Sequence, residues 1–508
     1  MGGFAMSVTA ELERLLDFAE KTGLIEGEDR AYARNRLLEV LRLDAPETDF
    51  SPLPALGDTM TEALSALTDD AAQRDLISGT RESRDLFAGA VAGALTPSPY
   101  EIRSRFRALY AEDPEKATDW FYGVCRNTDY IKVDRIRKNE RFFEEGLEIT
   151  INLSKPEKDP LDIAAALLHK SADYPKCMLC VENPGYAGRP GFPARQNHRM
   201  IPLTLDGESW HMQYSPYLYY NEHCIVLCDE HRPMLISEAG FRRLFDFVEK
   251  FPHYFLGSNA DLPIVGGSIL THDHFQGGRY VFPMDLAGDE IPLVSDEAGV
   301  RGAIIDWPMS CLRLKSESRE ALIRTAVRVL NAWRGYSDKA LGILAETDQK
   351  HNTVTPILRR TDGAWKLDLV LRNNRTDAEN PLGIFHPHAD LHHIKKENIG
   401  LIEVMGLMIL PGRLVSELKE VEKYLTGEKD AGIRPTPMEV ASRHFEWITQ
   451  LAGEYGCRLS PEEAHAAVRN GIGRKCRRVL ADAGVYKQTP EGREGFLRFL
   501  RTVGFDRA

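Results

Sequence analysis

Two histidines between two pairs of glycines, in residues 266–278, constrain this chain more than any other segment. His272 and His274 are separated by one residue, so on an extended strand both side chains point to the same face. One imidazole can then be buried on a ligand while the other, a competent nucleophile toward phosphorus when neutral, faces a substrate. The glycines let backbone N–H groups approach a phosphate closely, and Gln276 on that face can donate amide hydrogens to phosphate oxygens. The alternative is a hydrogen-bonded histidine pair on a core strand.

A Cys-x-x-Cys pair, Cys177 and Cys180, predicts half of a metal site, because two thiolates at this spacing fit one tetrahedral ion. His231, just after a buried-strand pattern at residues 224–228, and His272 are the candidates for the other two ligands. We predict zinc in a structural role, since four protein ligands leave no open position for a substrate. A redox pair or two ordinary small hydrophobic residues are the alternatives.

The charge of the chain argues against a nucleic-acid partner. Its formal net charge is −12, from 64 basic and 76 acidic residues, and it has no block of Lys and Arg. A few local cations would still suffice for small phosphorylated substrates. No apolar run approaches the roughly 20 residues that cross a bilayer, and the first residues lack the pattern of a secretory signal. We therefore expect a cytoplasmic protein with no membrane partner, where a paired-cysteine motif more often indicates a metal or catalysis than a disulfide.

Hydrophobic periodicity divides the chain into three regions. Residues 1–125 and 416–508 show mainly helical spacing, including a Ser460 and Glu463 capping box with Pro461 at the first helical position. Residues 126–415, in two halves of about 126–300 and 301–415, contain the alternating patterns of strands, at 147–153 and 365–371, and nearly all of the histidine and cysteine clusters. We predict an α+β fold with helical segments flanking this core.

The sequence His272-Asp273-His274-Phe275-Gln276 resembles the His-Pro-His-Gly-Gln signature of galactose-1-phosphate uridylyltransferases, a branch of the histidine-triad superfamily. Asp and Phe replace the Pro and Gly of that signature. The resemblance implies a histidine-triad-like core with a mainly antiparallel sheet. It also implies that His274 is the nucleophile, and that one set of residues holds the metal: Cys177, Cys180, His231 and His272.

Further segments are similar to the second class of this family, over most of the chain. They include residues 219–224, 392–398 and 482–487. By the same resemblance, several residues are candidates for contacts to the nucleotide and its phosphates: Lys155, Lys158, Asn197, Asn259 and Ser268. Two arginines near a glycine-rich loop are further candidates, Arg189 and Arg195, because arginine can hold a phosphate with two hydrogen bonds.

A late segment, His386-Pro387-His388, reproduces the tripeptide of the signature but continues with Ala and Asp. Together with His392 and His393, these histidines are candidates for a second metal or for a sugar phosphate. Lys395 and Lys396 follow directly and could neutralise the hexose phosphate, and of the two we select Lys396 as the candidate contact. A polar, solvated loop is the alternative.

The resemblance implies a double displacement in which UDP-glucose and galactose 1-phosphate exchange UMP through a uridylyl-histidine. A neighbouring backbone carbonyl is expected to fix the tautomer of His274, and we expect a homodimer. Another histidine-triad activity is an alternative, either a dinucleoside polyphosphate phosphorylase or a nucleoside phosphoramide hydrolase. A non-catalytic nucleotide-binding protein stabilised by zinc is the alternative from a different class.

Overall fold

The computed structural model describes residues 7–154, 173–267 and 269–508. The helices are, in chain order, α1 (Val8–Lys21), α2 (Arg30–Leu41), α3 (Thr61–Gln73), α4 (Arg81–Ala94), α5 (Pro99–Glu112), α6 (Pro114–Asn127), α7 (Val133–Ile136), α8 (Glu238–Lys250), α9 (Pro283–Leu286), α10 (Arg319–Gly335), α11 (Leu401–Val404), α12 (Leu414–Leu425), α13 (Phe445–Tyr455), α14 (Pro461–Ala483) and α15 (Pro490–Thr502). The strands are β1 (Glu140–Glu144), β2 (Leu147–Asn152), β3 (Ile201–Leu205), β4 (Glu208–Tyr214), β5 (Cys224–Cys228), β6 (Phe255–Gly257), β7 (His274–Gly278), β8 (Asp289–Ser295), β9 (Arg301–Ile305), β10 (Cys311–Ser316), β11 (Asn352–Thr361), β12 (Ala364–Asn373), β13 (Leu407–Pro411) and β14 (Phe505–Arg507).

The chain forms two compact units that are not contiguous in sequence. Unit 1 consists of Met1–Lys138 and Ser154–Arg232, and unit 2 of Asn139–Leu153 and Pro233–Ala508. The predicted α+β class with mainly antiparallel sheets is confirmed. The boundaries proposed at residues 125, 300 and 415 stay predictions. In the described part of the chain, no helix is both long and apolar enough to cross a membrane.

Unit 1 combines helices α1–α7 with the antiparallel strands β3, β4 and β5. Asp206 and Gly207, with φ of 49° and 75°, form the tight turn between β3 and β4. The aromatic ring of Phe121 in α6 lies 5.3 Å from that of Tyr214 in β4, so helix and sheet share one core. Strand β5 was predicted from its apolar run, and His231 lies just beyond its end.

The larger sheet of unit 2 has the strand order β14-β8-β9-β10-β12-β11-β6-β7, and each pairing is antiparallel. Strand β12 was predicted from the alternation of Trp365, Leu367, Leu369 and Leu371. Its hairpin with β11 turns at residues 362–363, where Asp362 and Gly363 both have positive φ. Helix α10 packs against β10, β11 and β12.

A buried ion pair joins β10 to β12 within this sheet. Arg313 donates to both carboxylate oxygens of Asp368, at 2.8 and 3.0 Å, and the two side chains are 3% and 1% exposed. The other guanidinium hydrogens of Arg313 reach the carbonyls of Ala287 and Met284, at 2.8 Å each. Every charge is therefore partnered, as burial of a guanidinium requires.

A second sheet of unit 2 has the order β1-β2-β13, and its β2–β13 pairing is parallel. The C-terminal helices follow. The predicted capping box at Ser460 and Glu463 begins α14, with Pro461 as its first residue. Gly484 follows the last residue of this helix, with an extended backbone.

Candidate active site and metal centre

In unit 1, the Cys-x-x-Cys knuckle (residues 177–180) lies against His231, so three predicted metal ligands come together. The sulfur atoms of Cys177 and Cys180 are 3.6 Å apart, and Cys180 Sγ lies 3.3 Å from His231 Nδ1. All three ligand atoms lie within 4.8 Å of one another. Two sulfurs and one imidazole nitrogen at these separations suit a tetrahedral, thiophilic ion such as zinc. Burial raises the pKa of the Cys177 thiol to about 12, and a bound cation would oppose this rise by stabilising the thiolate.

His274 is the first residue of β7, and only 6% of it is exposed. Its Nδ1–H donates a 2.8 Å hydrogen bond to the backbone carbonyl of His272, the kind of contact expected from the sequence. Because this bond occupies Nδ1, the lone pair of the ring stays on Nε2. Burial lowers the pKa of His274 to about 4, so the imidazole is neutral at neutral pH.

The spacing of His272 and His274 predicted that both lie on one strand, but they do not. Strand β7 begins at His274, and the fully buried His272 lies in a bend before it. The bend carries the carbonyl of His272 to the ring of His274, which a straight strand could not do because successive carbonyls point sideways toward neighbouring strands.

Asp273, between the two histidines, lies close to a cation. Its carboxylate is 3.8 Å from Nη1 of Arg243 on α8, and both side chains are less than 10% exposed. Opposite charges at this separation attract each other, which offsets part of the cost of burying each of them. Arg243 was not singled out from the sequence, because nothing in its local pattern connects it to Asp273.

Asn259 explains the glycine at position 267, the second of the pair before the histidines. A Cβ added at Gly267 would lie 2.7 Å from Asn259 Nδ2, so only glycine fits without displacing this amide. Asn259 Oδ1 also accepts a 2.9 Å hydrogen bond from the backbone N–H of Leu401. The predicted substrate contact at Asn259 therefore also supports the loop that leads to His274.

The remaining candidates of unit 2 differ in accessibility. Gln276 is half-buried on β7, opposite Gly257 of β6. Lys396 is exposed, whereas its neighbour Lys395 is buried against Glu403, with a 3.0 Å ion pair. Of these lysines, only Lys396 is free to reach a ligand from solvent.

In unit 1, the guanidinium of Arg195 is buried, with weak partners. It donates to Tyr130 Oη at 3.3 Å and to Met178 Sδ at 3.6 Å, and its Nε has no hydrogen-bond partner among the residues described. Among the described residues Arg195 forms no ion pair with a carboxylate, unlike most buried arginines. Its contact with Met178, inside the Cys-x-x-Cys knuckle, places this cation beside the candidate metal ligands.

The other two candidates of unit 1 already contact backbone carbonyls. Asn197, 4% exposed, donates a 2.8 Å hydrogen bond to the carbonyl of Thr128. Arg189, half-buried, donates to the carbonyl of Tyr174 at 3.0 Å and to Tyr186 Oη at 2.8 Å. Three candidates lie outside the described residues: Lys155, Lys158 and Ser268.

Three histidines of the late segment, His386, His392 and His393, form hydrogen bonds with neighbouring protein groups. His386 Nδ1 and His392 Nε2 both bond to the carbonyl of Pro387, at 3.1 and 2.8 Å. His393 Nδ1 lies 2.6 Å from His444 Nδ1, so one ring donates to the other. In the described part of the chain, these imidazoles belong to no group of three or more converging metal ligands.

Two family models match the parts of the chain that carry these features. Residues 23–233 match the N-terminal domain of galactose-1-phosphate uridyl transferases, and residues 247–449 match the C-terminal domain.

The chain belongs to the galactose-1-phosphate uridylyltransferase family.

Relatives that carry the family name match at nearly full length. A galactose-1-phosphate uridylyltransferase of Caldanaerobacter subterraneus subsp. tengcongensis is 48% identical, covering 97% of this chain and 98% of its own. A protein of the same name from Fusobacterium nucleatum subsp. nucleatum is 46% identical, covering 98% and 99%. The resemblance inferred from residues 272–276 is thereby confirmed.

Solved structures offer weaker likenesses to this family member. Yeast Ap4A phosphorylase Apa2 is 12% identical, covers 57% of this chain and 88% of its own, and has a TM-score of 0.30. A DUF4931 family protein from Bacillus cereus ATCC 10987 is 16% identical, covers 33% and 83%, and has a TM-score of 0.24. The family assignment therefore rests on the sequence matches.

Proposed function

We propose that this chain exchanges UMP between UDP-glucose and galactose 1-phosphate, through a uridylyl group carried on His274. The names of its near-full-length relatives specify the activity. The observation that carries the mechanism is the hydrogen bond from His274 Nδ1 to the carbonyl of His272, because it leaves the Nε2 lone pair for attack on phosphorus.

In the first step, Nε2 attacks the α-phosphorus of UDP-glucose. The bond from that phosphorus to the bridging oxygen breaks, and glucose 1-phosphate leaves with the electron pair. In the second step, a phosphate oxygen of galactose 1-phosphate attacks the same phosphorus, and the N–P bond breaks. UDP-galactose leaves, His274 is again neutral, and neither step needs a net proton transfer.

The charge on the α-phosphate oxygens requires donors and cations at this site. We assign this role to the amide of Gln276, and to Arg195 because its buried guanidinium has no carboxylate partner within the described residues. The sequence resemblance supports five further substrate contacts: Lys155, Lys158, Asn197, Asn259 and Ser268. Arg189 is proposed because arginine can hold a phosphate with two hydrogen bonds, and Lys396 because it is an exposed cation. Galactose 1-phosphate and UDP-glucose are both anions, so one cationic site can serve them in turn.

We propose that zinc binds Cys177, Cys180 and His231, with His272 as the fourth ligand. A closed set of four protein ligands gives zinc a structural role, in which it holds the segment that precedes the nucleophile. The chain itself supplies the nucleophile, its tautomer and the donors to phosphate. We further propose that the protein acts in the cytoplasm as a homodimer, to be checked by light scattering during size-exclusion chromatography.

An exchange assay with His274→Gly tests the function. UDP-glucose labelled in the uridine is incubated with galactose 1-phosphate and either the wild type or the variant, and the nucleotide products are separated. We expect labelled UDP-galactose from the wild type and at least a 10³-fold loss in the variant, as for a nucleophile in other covalent enzymes. Label that accumulates only in UMP would favour a phosphoramide hydrolase. Unchanged labelled substrate, bound but not converted by the wild type, would favour a non-catalytic binding protein.

A further inference from the structure

We infer that Asn183 is a positioning residue of the metal centre, and that its side-chain amide sets the geometry of the Cys-x-x-Cys knuckle. The inference rests on the proposed metal site and extends it to a residue that holds no metal itself.

One amide group bridges both cysteines. Asn183 Nδ2 donates to the backbone carbonyl of Cys177 at 2.9 Å and to that of Cys180 at 2.7 Å. The backbone N–H of Asn183 also donates to the carbonyl of Cys180, at 3.1 Å. Both peptide groups that follow the two ligands are therefore fixed by one side chain.

Only an amide can make this bridge at this position. The –NH2 group has two hydrogens, one for each carbonyl, whereas a carboxylate of the same shape has none and would repel both oxygens. Asn183 is completely buried, and its Oδ1 has no hydrogen-bond partner in the part of the chain that the structure describes. Burial of an unpaired carbonyl oxygen is unfavourable, so the position is not explained by filling of space with an apolar side chain.

The consequence for the metal follows from the spacing of the two sulfurs. With the carbonyls fixed, the backbone of both cysteines is held, and the sulfurs lie 3.6 Å apart before a metal is added. Two sulfurs at that spacing suit one tetrahedral ion, so a knuckle without its bridge would have to be ordered by the metal itself and would bind it less tightly. Outer partners of metal ligands act in this way, and their loss weakens metal affinity by about 10- to 100-fold.

Zinc affinity of the full-length protein tests the inference. The wild type, Asn183→Ala, Asn183→Asp and the control Asn127→Ala are loaded with zinc and titrated with a chelator of known affinity. Asn127 is half-buried at the end of α6 in the same unit and lies outside the Cys-x-x-Cys knuckle. We expect affinity to fall about 10- to 100-fold in both Asn183 variants and to be unchanged in Asn127→Ala.

Cobalt(II) provides a readout that a purely structural role would not move. Each protein is loaded with cobalt in place of zinc, and the absorption bands of the tetrahedral thiolate site are recorded. We expect bands of altered position and lower intensity in Asn183→Ala, and bands like those of the wild type in the control. Wild-type affinity and spectrum in both Asn183 variants would overturn the inference.

Two further outcomes are distinguishable. A wild type that transfers uridylyl groups but binds no stoichiometric zinc would overturn the metal centre and the role of Asn183, while the proposed activity would stand. If both Asn183 variants stay unfolded in saturating zinc, by circular dichroism, the residue is needed for the loop as such and the inference fails.

Discussion

At the scale of single residues, the reactivity of His274 depends on one backbone atom. The carbonyl oxygen of His272 holds Nδ1–H at 2.8 Å, which fixes both the tautomer and the direction of the ring. That carbonyl is positioned in turn by the bend before β7, and the bend follows Gly267, which packs on Asn259. A change two or more residues from the nucleophile can therefore displace it.

Substitution Gly267→Ala is expected to lower the exchange rate without removing any reactive group. The new Cβ would lie 2.7 Å from Asn259 Nδ2, so either this side chain or the loop must move. Overpacking of this kind costs roughly 1–3 kcal/mol, and a loss of about tenfold in kcat corresponds to 1.4 kcal/mol. Steady-state kinetics of the exchange reaction check the prediction.

Gly288→Ala is the matched control, because nothing lies within 4 Å of a Cβ added at that position. It is expected to keep the wild-type rate. If Gly267→Ala matched Gly288→Ala in rate, the support that Asn259 gives to the loop would be irrelevant to catalysis.

The sequence indicated the chemical roles of these residues more readily than it indicated which residues they contact. The proposal of His274 as the nucleophile and of the Cys-x-x-Cys pair as ligands came from short local patterns. The contact of Asp273 with Arg243, and of His393 with His444, joins residues that are distant in sequence, and no local pattern encodes such contacts.

At the scale of secondary-structure elements, a buried ion pair contributes to the pairing of β10 with β12. Asp368→Asn would leave Arg313 buried without its counter-charge, and loss of one partner of a buried pair costs about 3–5 kcal/mol. We expect the free energy of unfolding in urea to fall by an amount of this order.

The pair between Lys315 and Asp289 serves as the control on the same sheet. It is 3.3 Å long, and its side chains are 47% and 39% exposed. Asp289→Asn should change stability by no more than about 1 kcal/mol, because solvent screens the charges. Equal effects of the two substitutions would show that burial does not set the strength of the pair.

The elements themselves were partly visible in the sequence. Alternating apolar residues predicted β2 and β12, the apolar run 224–228 predicted β5, and the capping box predicted the start of α14. The partner of each strand was not predictable, since strand pairing is set by tertiary contacts rather than by local pattern. The predicted common strand for His272 and His274 was wrong, because the hydrogen bond between them needs a bend.

At the scale of the whole molecule, each of the two units is built from two separate stretches of the chain. Residues 139–153 belong to unit 2, where β2 pairs in parallel with β13, which lies far along the sequence. Periodicity describes only neighbouring residues, so it could not assign this segment to a unit. The three regions inferred from hydrophobic periodicity stay predictions, whereas the family assignment covers nearly the full length.

Removal of the metal should lower the stability of the whole protein. A ligand that binds only the folded state stabilises it by about 2.7 kcal/mol at a concentration of 100 times its Kd. We expect a chelator to lower the midpoint of thermal unfolding of the zinc-loaded protein, and excess zinc to restore it. His231→Ala, which lacks one ligand, should respond to neither. A wild-type midpoint that ignores the chelator would contradict the zinc proposal.

The central claim is that His274 becomes bonded to phosphorus during turnover. The most direct test is to mix the protein with UDP-glucose alone, quench it in base, where phosphoramidates persist, and measure its intact mass and its peptides. We predict a gain of one uridylyl group, located on His274, which disappears when galactose 1-phosphate is added. Turnover without any such adduct, or an adduct on a different residue, would contradict the account.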